Sequence, residues 1–154
     1  MALPEDCSVA LLPIKPIYAD AIVDGRKRVE FRKTRFRRRV THVAIYASTP
    51  VQRIIAIFRV AECEHANPED LWERHHAVGA ISMDDFNTYY ADLEIGVAIH
   101  IADVFPLASP VRLQTLRVRA PQSFRYLTAP ETARLRRAMT SRPTRSGTRA
   151  RSVQ

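Results

Sequence analysis

Two β-branched-rich stretches, Val40 to Ser48 and Gln52 to Cys63, are separated only by a Ser48-Thr49-Pro50 turn, and this pair constrains the fold most. Neither shows the clean apolar–polar alternation of a half-solvated strand, so each predicts a strand buried on both faces. Further strands are predicted at Val9 to Ile14, Arg28 to Lys33, Ile95 to Phe105 and Val111 to Leu116, with Pro106 and Pro110 breaking the last two apart. Ile17 to Asp24 predicts a helix, with Pro16 near its first position and Gly25 just past its end. Asn67-Pro68-Glu69-Asp70 supplies a cap, a first-turn proline and two acids, opening a helix that runs to about Ala77 and is ended by Gly79. Ser82-Met83-Asp84-Asp85 and Thr128-Ala129-Pro130-Glu131 open two more helices. Pro121 to Tyr126 reads as an irregular aromatic segment. Five or six short apolar strands with three or four helices predict an α+β domain, a closed or nearly closed β-barrel with helices packed outside.

A chain of 154 residues with 46% hydrophobic and 26% charged residues has room for one packed core. That core is expected within residues 1–141. From Ser141 the chain reads SRPTRSGTRARSVQ, with four Arg and no acid, which predicts a disordered Arg-rich tail over residues 142–154. No apolar stretch is long enough to cross a bilayer, and Glu5 and Asp6 stand where a secretory signal needs basic residues. Two cysteines, Cys7 and Cys63, cannot form a disulfide framework. The expectation is a cytoplasmic protein without membrane contact.

The charge is concentrated rather than spread. Residues 26–39 carry nine Lys or Arg against one Glu, and residues 130–154 carry seven Arg against one Glu, while the remainder is mildly acidic. Such patches attract polyanions, and the bias toward Arg favours phosphate, which its planar fork holds through two hydrogen bonds. Arg35, Arg37, Arg38 and Arg39 form an expected basic loop that adds sequence-independent affinity for nucleic acid.

Inside the first patch lies Gly25-Arg26-Lys27-Arg28-Val29-Glu30-Phe31-Arg32, of the form G-x-K-x-x-E-x-R. It falls where a helix turns into a strand, and Gly25 permits the reversal. Val29 and Phe31 point to one face and Glu30 and Arg32 to the other, the latter two roughly 6–7 Å apart along the strand. Lys27 sits in the turn above them. Cation, anion and second cation around one spot suit a ligand with both phosphate and hydrogen-bonding base edges.

These residues resemble the ASCH domain family, a branch of the PUA-like fold. Ile14-Lys15-Pro16 before the first helix, the G-x-K-x-x-E-x-R motif, Tyr46-Ala47-Ser48-Thr49-Pro50, and Pro121-Gln122-Ser123-Phe124-Arg125-Tyr126-Leu127 carry the likeness, which spans about Val9 to Leu127. The resemblance implies a PUA-like barrel with a cleft lined by the motif, and a role in binding RNA or another nucleic acid. One branch looks like an acetylcytidine amidohydrolase, with the motif lysine, a threonine at the place of Glu30 and a separate acid. Lys27 keeps the first, Glu30 departs from the second, and Val78-Gly79-Ala80 supplies no carboxylate at the third.

Lys15, Lys27 and Arg32 are therefore expected at phosphate or ribose, with Ser48 and Ser123 as hydroxyl partners and Glu30 and Gln122 at base edges. A binding module for RNA, or for a nucleotide-like small molecule, is the first expectation. The alternative is a hydrolase of RNA or a modified nucleoside, with Lys27 as base or oxyanion stabiliser and Glu30 as proton carrier. A regulator whose tail contacts DNA is a third. Trp72, Tyr89, Tyr90 and Phe124 read as core. No metal or cofactor is expected: Cys63 and His65 share one strand face and Glu62 and Glu64 the other, His75 and His76 diverge on a helix, and no C-x-x-C or H-x-x-x-H spacing occurs.

Overall fold

The computed structural model describes residues 3–141. The predicted tail at 142–154 lies outside the described residues. The chain runs through β1 (Val9–Ile14), α1 (Pro16–Val23), β2 (Val29–Arg32), β3 (His42–Ala47), β4 (Arg53–Ala66), α2 (Pro68–Gly79), α3 (Met83–Tyr90), β5 (Gly96–Val111), α4 (Leu113–Leu116), β6 (Arg125–Tyr126) and α5 (Ala129–Thr140). The six strands form one curled sheet in the order β2-β5-β4-β3-β1-β6, antiparallel except for the parallel β1–β3 pair. The architecture is an α+β half-barrel.

The unalternating runs have a simple cause. Ala10, Leu12, Ile14, Val43 and Ile45 pack with Ile22 and Phe58 on one face. Val9, Leu11, Ala44, Ile54 and Ile57 pack on the other with Leu113, Leu116 and Leu135 of α4 and α5. The central strands are covered on both sides, so period-2 polarity has no place in them. The β2 edge differs. Val29 and Phe31 turn toward Leu71, Phe86 and Tyr90 of α2 and α3, leaving Glu30 and Arg32 on the opposite side.

The helix starts follow their caps. Asn67 accepts from the Asp70 amide, Ser82 from Asp85, and Thr128 exchanges both hydrogen bonds of a capping box with Glu131. Two expectations fail around the prolines. Residues 96–111 form one strand rather than stopping at Phe105: Pro106 still opposes Ala56, and the next pairing, Ile54 with Val111, lies beyond a register shift. That bulge takes up residues 107–110, so Pro110 has no regular ladder position to vacate. Leu113–Leu116, expected as strand, is a single helical turn, ended by Arg117 at φ 60°. Gly79 also differs in role. It remains helical, and Ala80 takes the left-handed position at φ 48°. A Cβ on Gly79 would lie 2.7 Å from Phe31 Cε2, so close packing on β2 demands the glycine. Among the described residues no helix is long and apolar enough to cross a membrane.

Candidate functional site

The two edge strands of the curled sheet, β2 and β6, do not pair with each other. The Arg32 side chain bridges that gap: its guanidinium donates to the Pro13 carbonyl at the end of β1 (3.2 Å) and to the Ser123 carbonyl just before β6 (2.7 Å). It also meets Glu30 Oε1 at 3.4 Å. Arg32 is thus a strut across the mouth, with most of its donors engaged. Tyr90 secures the same edge from below, its hydroxyl 2.8 Å from the Arg32 carbonyl and 3.2 Å from that of Val97.

Beside this strut opens a cavity of about 770 Å³, within the range of small-ligand sites. Its wall includes Lys15, Lys27, Glu30, Arg32, Gln122 and Ser123, six of the seven ligand-binding candidates named from the sequence. Ser48 does not line it; it is half-buried past β3, with its amide donating to the Ile14 carbonyl. Tyr46, one turn of the pleat away, lines a separate concavity of about 610 Å³ with Arg53, Arg112 and Arg119.

Lys27 is the unusual member. It is 3% exposed, held where Gly25 (φ 87°) turns the chain from α1 into β2. The Lys27 amide donates to the Ala21 carbonyl and that of Arg28 to the Val78 carbonyl, fixing the turn between α1 and α2. Its Nζ donates to the Gly79 carbonyl, lies 3.7 Å from Glu30 Oε2, and stands 5.1 and 5.4 Å from the Tyr18 and Phe31 ring centres. Burial pushes the ammonium below its ordinary pKa, while the Glu30 charge opposes that change. Gly79 thus packs its bare Cα against the Phe31 ring and also accepts the Lys27 hydrogen bond through its carbonyl.

Tyr18, Lys33, Asp85 and Tyr89 also line the wall, and sequence reasoning missed all four as site residues. Tyr89, expected in the core, packs partly buried on the α2–α3 core cluster and also shows an edge to the cavity, while Tyr90, about 100° round the helix, is buried. Lys33 Nζ sits 4.6 Å from the Tyr89 ring centre. Asp85 comes from the first turn of α3, not from the 78–80 segment where the family comparison sought an acid. Trp72 and Phe124 do pack on core clusters, both partly buried.

The basic loop goes elsewhere. Phe36 stacks edge-on against Phe124 at 5.0 Å, the Arg37 amide donates to the Tyr126 hydroxyl at 2.7 Å, and the Arg38 guanidinium covers the Tyr126 ring at 4.6 Å. Arg38 and Arg39 face a third cleft with Arg59, Cys63 and His65, while Arg35 and Arg37 are exposed and line none of the three.

With this geometry in place, comparison with known proteins is decisive at the level of family. The ASCH domain model matches residues 12–105. An ASCH domain-containing ribonuclease of Zymomonas mobilis subsp. mobilis is 30% identical over 141 residues, covering 84% of this chain and 91% of that protein. The crystal structure of ASCH from Zymomonas mobilis superimposes with a TM-score of 0.77 at 28% identity, covering 82% of this chain and 92% of that one. A Tyr-to-Phe mutant of the same protein gives 0.77 at 27% identity, covering 82% and 95%. The chain belongs to the ASCH domain family. The curled mixed sheet with its surrounding helices is accordingly the PUA-like fold expected from the sequence.

Proposed function

We propose that this protein binds single-stranded RNA, with one nucleotide entering the Lys27–Glu30 cavity. The observation that carries the reading is the convergence of six motif-derived side chains on one cavity beside a basic surface. Lys15 and Lys33, both exposed at the rim, meet phosphates as point charges. Gln122, Ser123 and the buried Glu30 offer acceptors and donors for base edges. The Tyr89 ring, already under Lys33, offers an apolar face for a base. Arg35, Arg37, Arg38 and Arg39, with the tail at 142–154, add affinity by counterion release. The test is anisotropy of a labelled RNA oligomer across a salt series. Log affinity should fall by about 0.7 per neutralised phosphate, and Lys15→Ala with Lys33→Ala should lower the slope. Unchanged affinity and slope in that double variant would remove the cavity from the interface.

A second reading is RNA cleavage in the same cavity, favoured by the buried lysine and by the name of the Zymomonas relative. A Lys27 amine freed of its proton accepts one from the ribose 2′-hydroxyl as it attacks phosphorus; the P–O5′ bond breaks, leaving a 2′,3′-cyclic phosphate, and the departing 5′-oxygen is protonated by water. Glu30, 3.7 Å away, then stabilises the resulting ammonium, and Asp85 lines the same wall. Product that accumulates with wild type and disappears with Lys27→Met, at retained RNA affinity, would establish it.

A further inference from the structure

On the sheet face that carries α2, a second carboxylate is surrounded by nitrogen. Glu64 Oε1 lies 2.7 Å from His75 Nε2 and 2.9 Å from His100 Nε2, and all three donor atoms fall within 4.8 Å of one another. Each comes from a different element: Glu64 from β4, His75 from α2, His100 from β5. His100 opposes Glu62 across the β4–β5 ladder and Glu64 opposes Ala98, so the glutamate and histidine are diagonal neighbours on one face. The other carboxylate oxygen is held by Arg74 at 2.8 Å. All three side chains are partly exposed, between 14% and 24%, so water reaches them.

We propose that Glu64, His75 and His100 form a binding site for a zinc-class divalent ion, with water in the fourth position. Two imidazoles and one carboxylate are the donor set of open tetrahedral zinc sites and of other borderline transition ions, whereas magnesium and calcium select oxygen. The fit needs the three donor atoms, now within 4.8 Å of one another, to settle at one common spacing. Tetrahedral bonds of about 2.0–2.1 Å place ligand atoms about 3.3 Å apart, so the two N···O contacts open by roughly half an ångström. On binding, each ring moves its proton from Nε2 to Nδ1 and turns the Nε2 lone pair to the metal. Arg74 keeps the carboxylate oriented while its partner oxygen turns to the ion. In the metal-free protein partial burial works against the ionisation of Glu64, but hydrogen bonds from His100, Arg74 and His75 outweigh that and hold its pKa at about 2. The ion ties α2 to the β4–β5 ladder, and α2 ends at the Gly79 carbonyl that receives Lys27. The site itself does not depend on the RNA-binding proposal.

The test uses the full chain, freed of metal with chelator and titrated with zinc chloride. One equivalent should bind, with thermal stability rising by several degrees in zinc and not in magnesium. His75→Gln and His100→Gln keep an amide within reach of Glu64, and each should weaken zinc binding at least roughly tenfold. His76→Gln, on the exposed side of α2, should leave it unchanged. Cobalt bound to wild type gives a readout independent of any variant: nitrogen and oxygen ligation shows no thiolate charge-transfer band. Sub-stoichiometric binding overturns the proposal, meaning the cluster is a hydrogen-bond network alone. A thiolate band overturns it as well, moving the ion to Cys63 or Cys7, as does full affinity in the two glutamine variants.

Discussion

Two glutamates in this domain sit between cationic or imidazole partners, and they behave as opposites. Glu30 is drawn from a stretch of six residues, between Lys27 and Arg32, and the three side chains are 3%, 8% and 14% exposed from Lys27 through Glu30 to Arg32. Glu64 gathers Arg74, His75 and His100 from two further elements and is itself 19% exposed, beside an Arg74 side chain that is 53% exposed. Water screens the second cluster and is nearly excluded from the first. Burial, rather than the number of partners (two for Glu30, three for Glu64), therefore sets the energetics: removing one member of a buried pair strands a desolvated charge, whereas an exposed pair rehydrates.

The largest effect follows directly. Glu30→Ala should destabilise the fold by about 3–5 kcal/mol, because Lys27 remains buried with only the Gly79 carbonyl and two rings beside it. Glu64→Ala should cost about 1 kcal/mol, the scale of hydrogen bonds lost at a wetted site. Urea unfolding of both variants checks the contrast. Equal costs would break it.

Next comes Gly79→Ala, expected to cost about 1–3 kcal/mol by forcing the Phe31 ring aside. The effect should exceed that of Gly25→Ala, where a Cβ meets nothing within 4 Å and only the left-handed backbone at φ 87° is strained. Because the Phe31 ring also faces Lys27, Gly79→Ala should weaken RNA binding in the anisotropy assay, which a purely structural glycine far from the cavity would not do.

This pair of clusters also explains what the sequence discloses. The G-x-K-x-x-E-x-R spacing holds its chemistry within a turn and one short strand, so local geometry places Glu30 and Arg32 together without knowledge of the fold. Glu64 and His100 meet only because β4 and β5 pair in one register, 36 residues apart. His65, Cys63 and His76 drew attention by proximity in sequence, yet Cys63 and His65 line the cleft of the basic loop, away from His75. The caps at Asn67, Ser82 and Thr128 were legible because each helix start is a local contract between side chain and amide. The fate of residues 106–116 was not, since a bulge that absorbs Pro110 exists only against a partner strand. Arg32 illustrates the remaining gap: its strand face was readable, but its role in bridging β1 and the segment before β6 depends on how far the sheet curls.

A pH series sharpens the comparison from the cation's side. Burial lowers the folded pKa of Lys27 below the ordinary 10.5. Between those two values the unfolded chain holds more protons than the folded one, so Lys27 contributes rising stability with pH across that window, and its burial penalty is full below it. Wild type should therefore gain stability relative to Lys27→Met as pH rises from neutral toward 10.5, by at most about 1.4 kcal/mol per pH unit. A difference that stays flat would mean the ammonium keeps its ordinary affinity for protons despite its burial.

The smallest effect isolates screening itself. In chelator, so that no metal contributes, the destabilisation caused by Glu64→Gln should be a few tenths of a kcal/mol up to about 1 kcal/mol and should shrink in molar salt, where the Debye length falls to about 3 Å. The cost of Glu30→Gln should persist, because ions cannot enter between Lys27 and Glu30 when both side chains are under 10% exposed. Comparing the two variants at low and high sodium chloride cancels the general effect of salt on folding. If both costs fell together, the Lys27–Glu30 pair would be as hydrated as the surface cluster, and the cavity wall would be more open to solvent than its packing against Tyr18 and Phe31 implies.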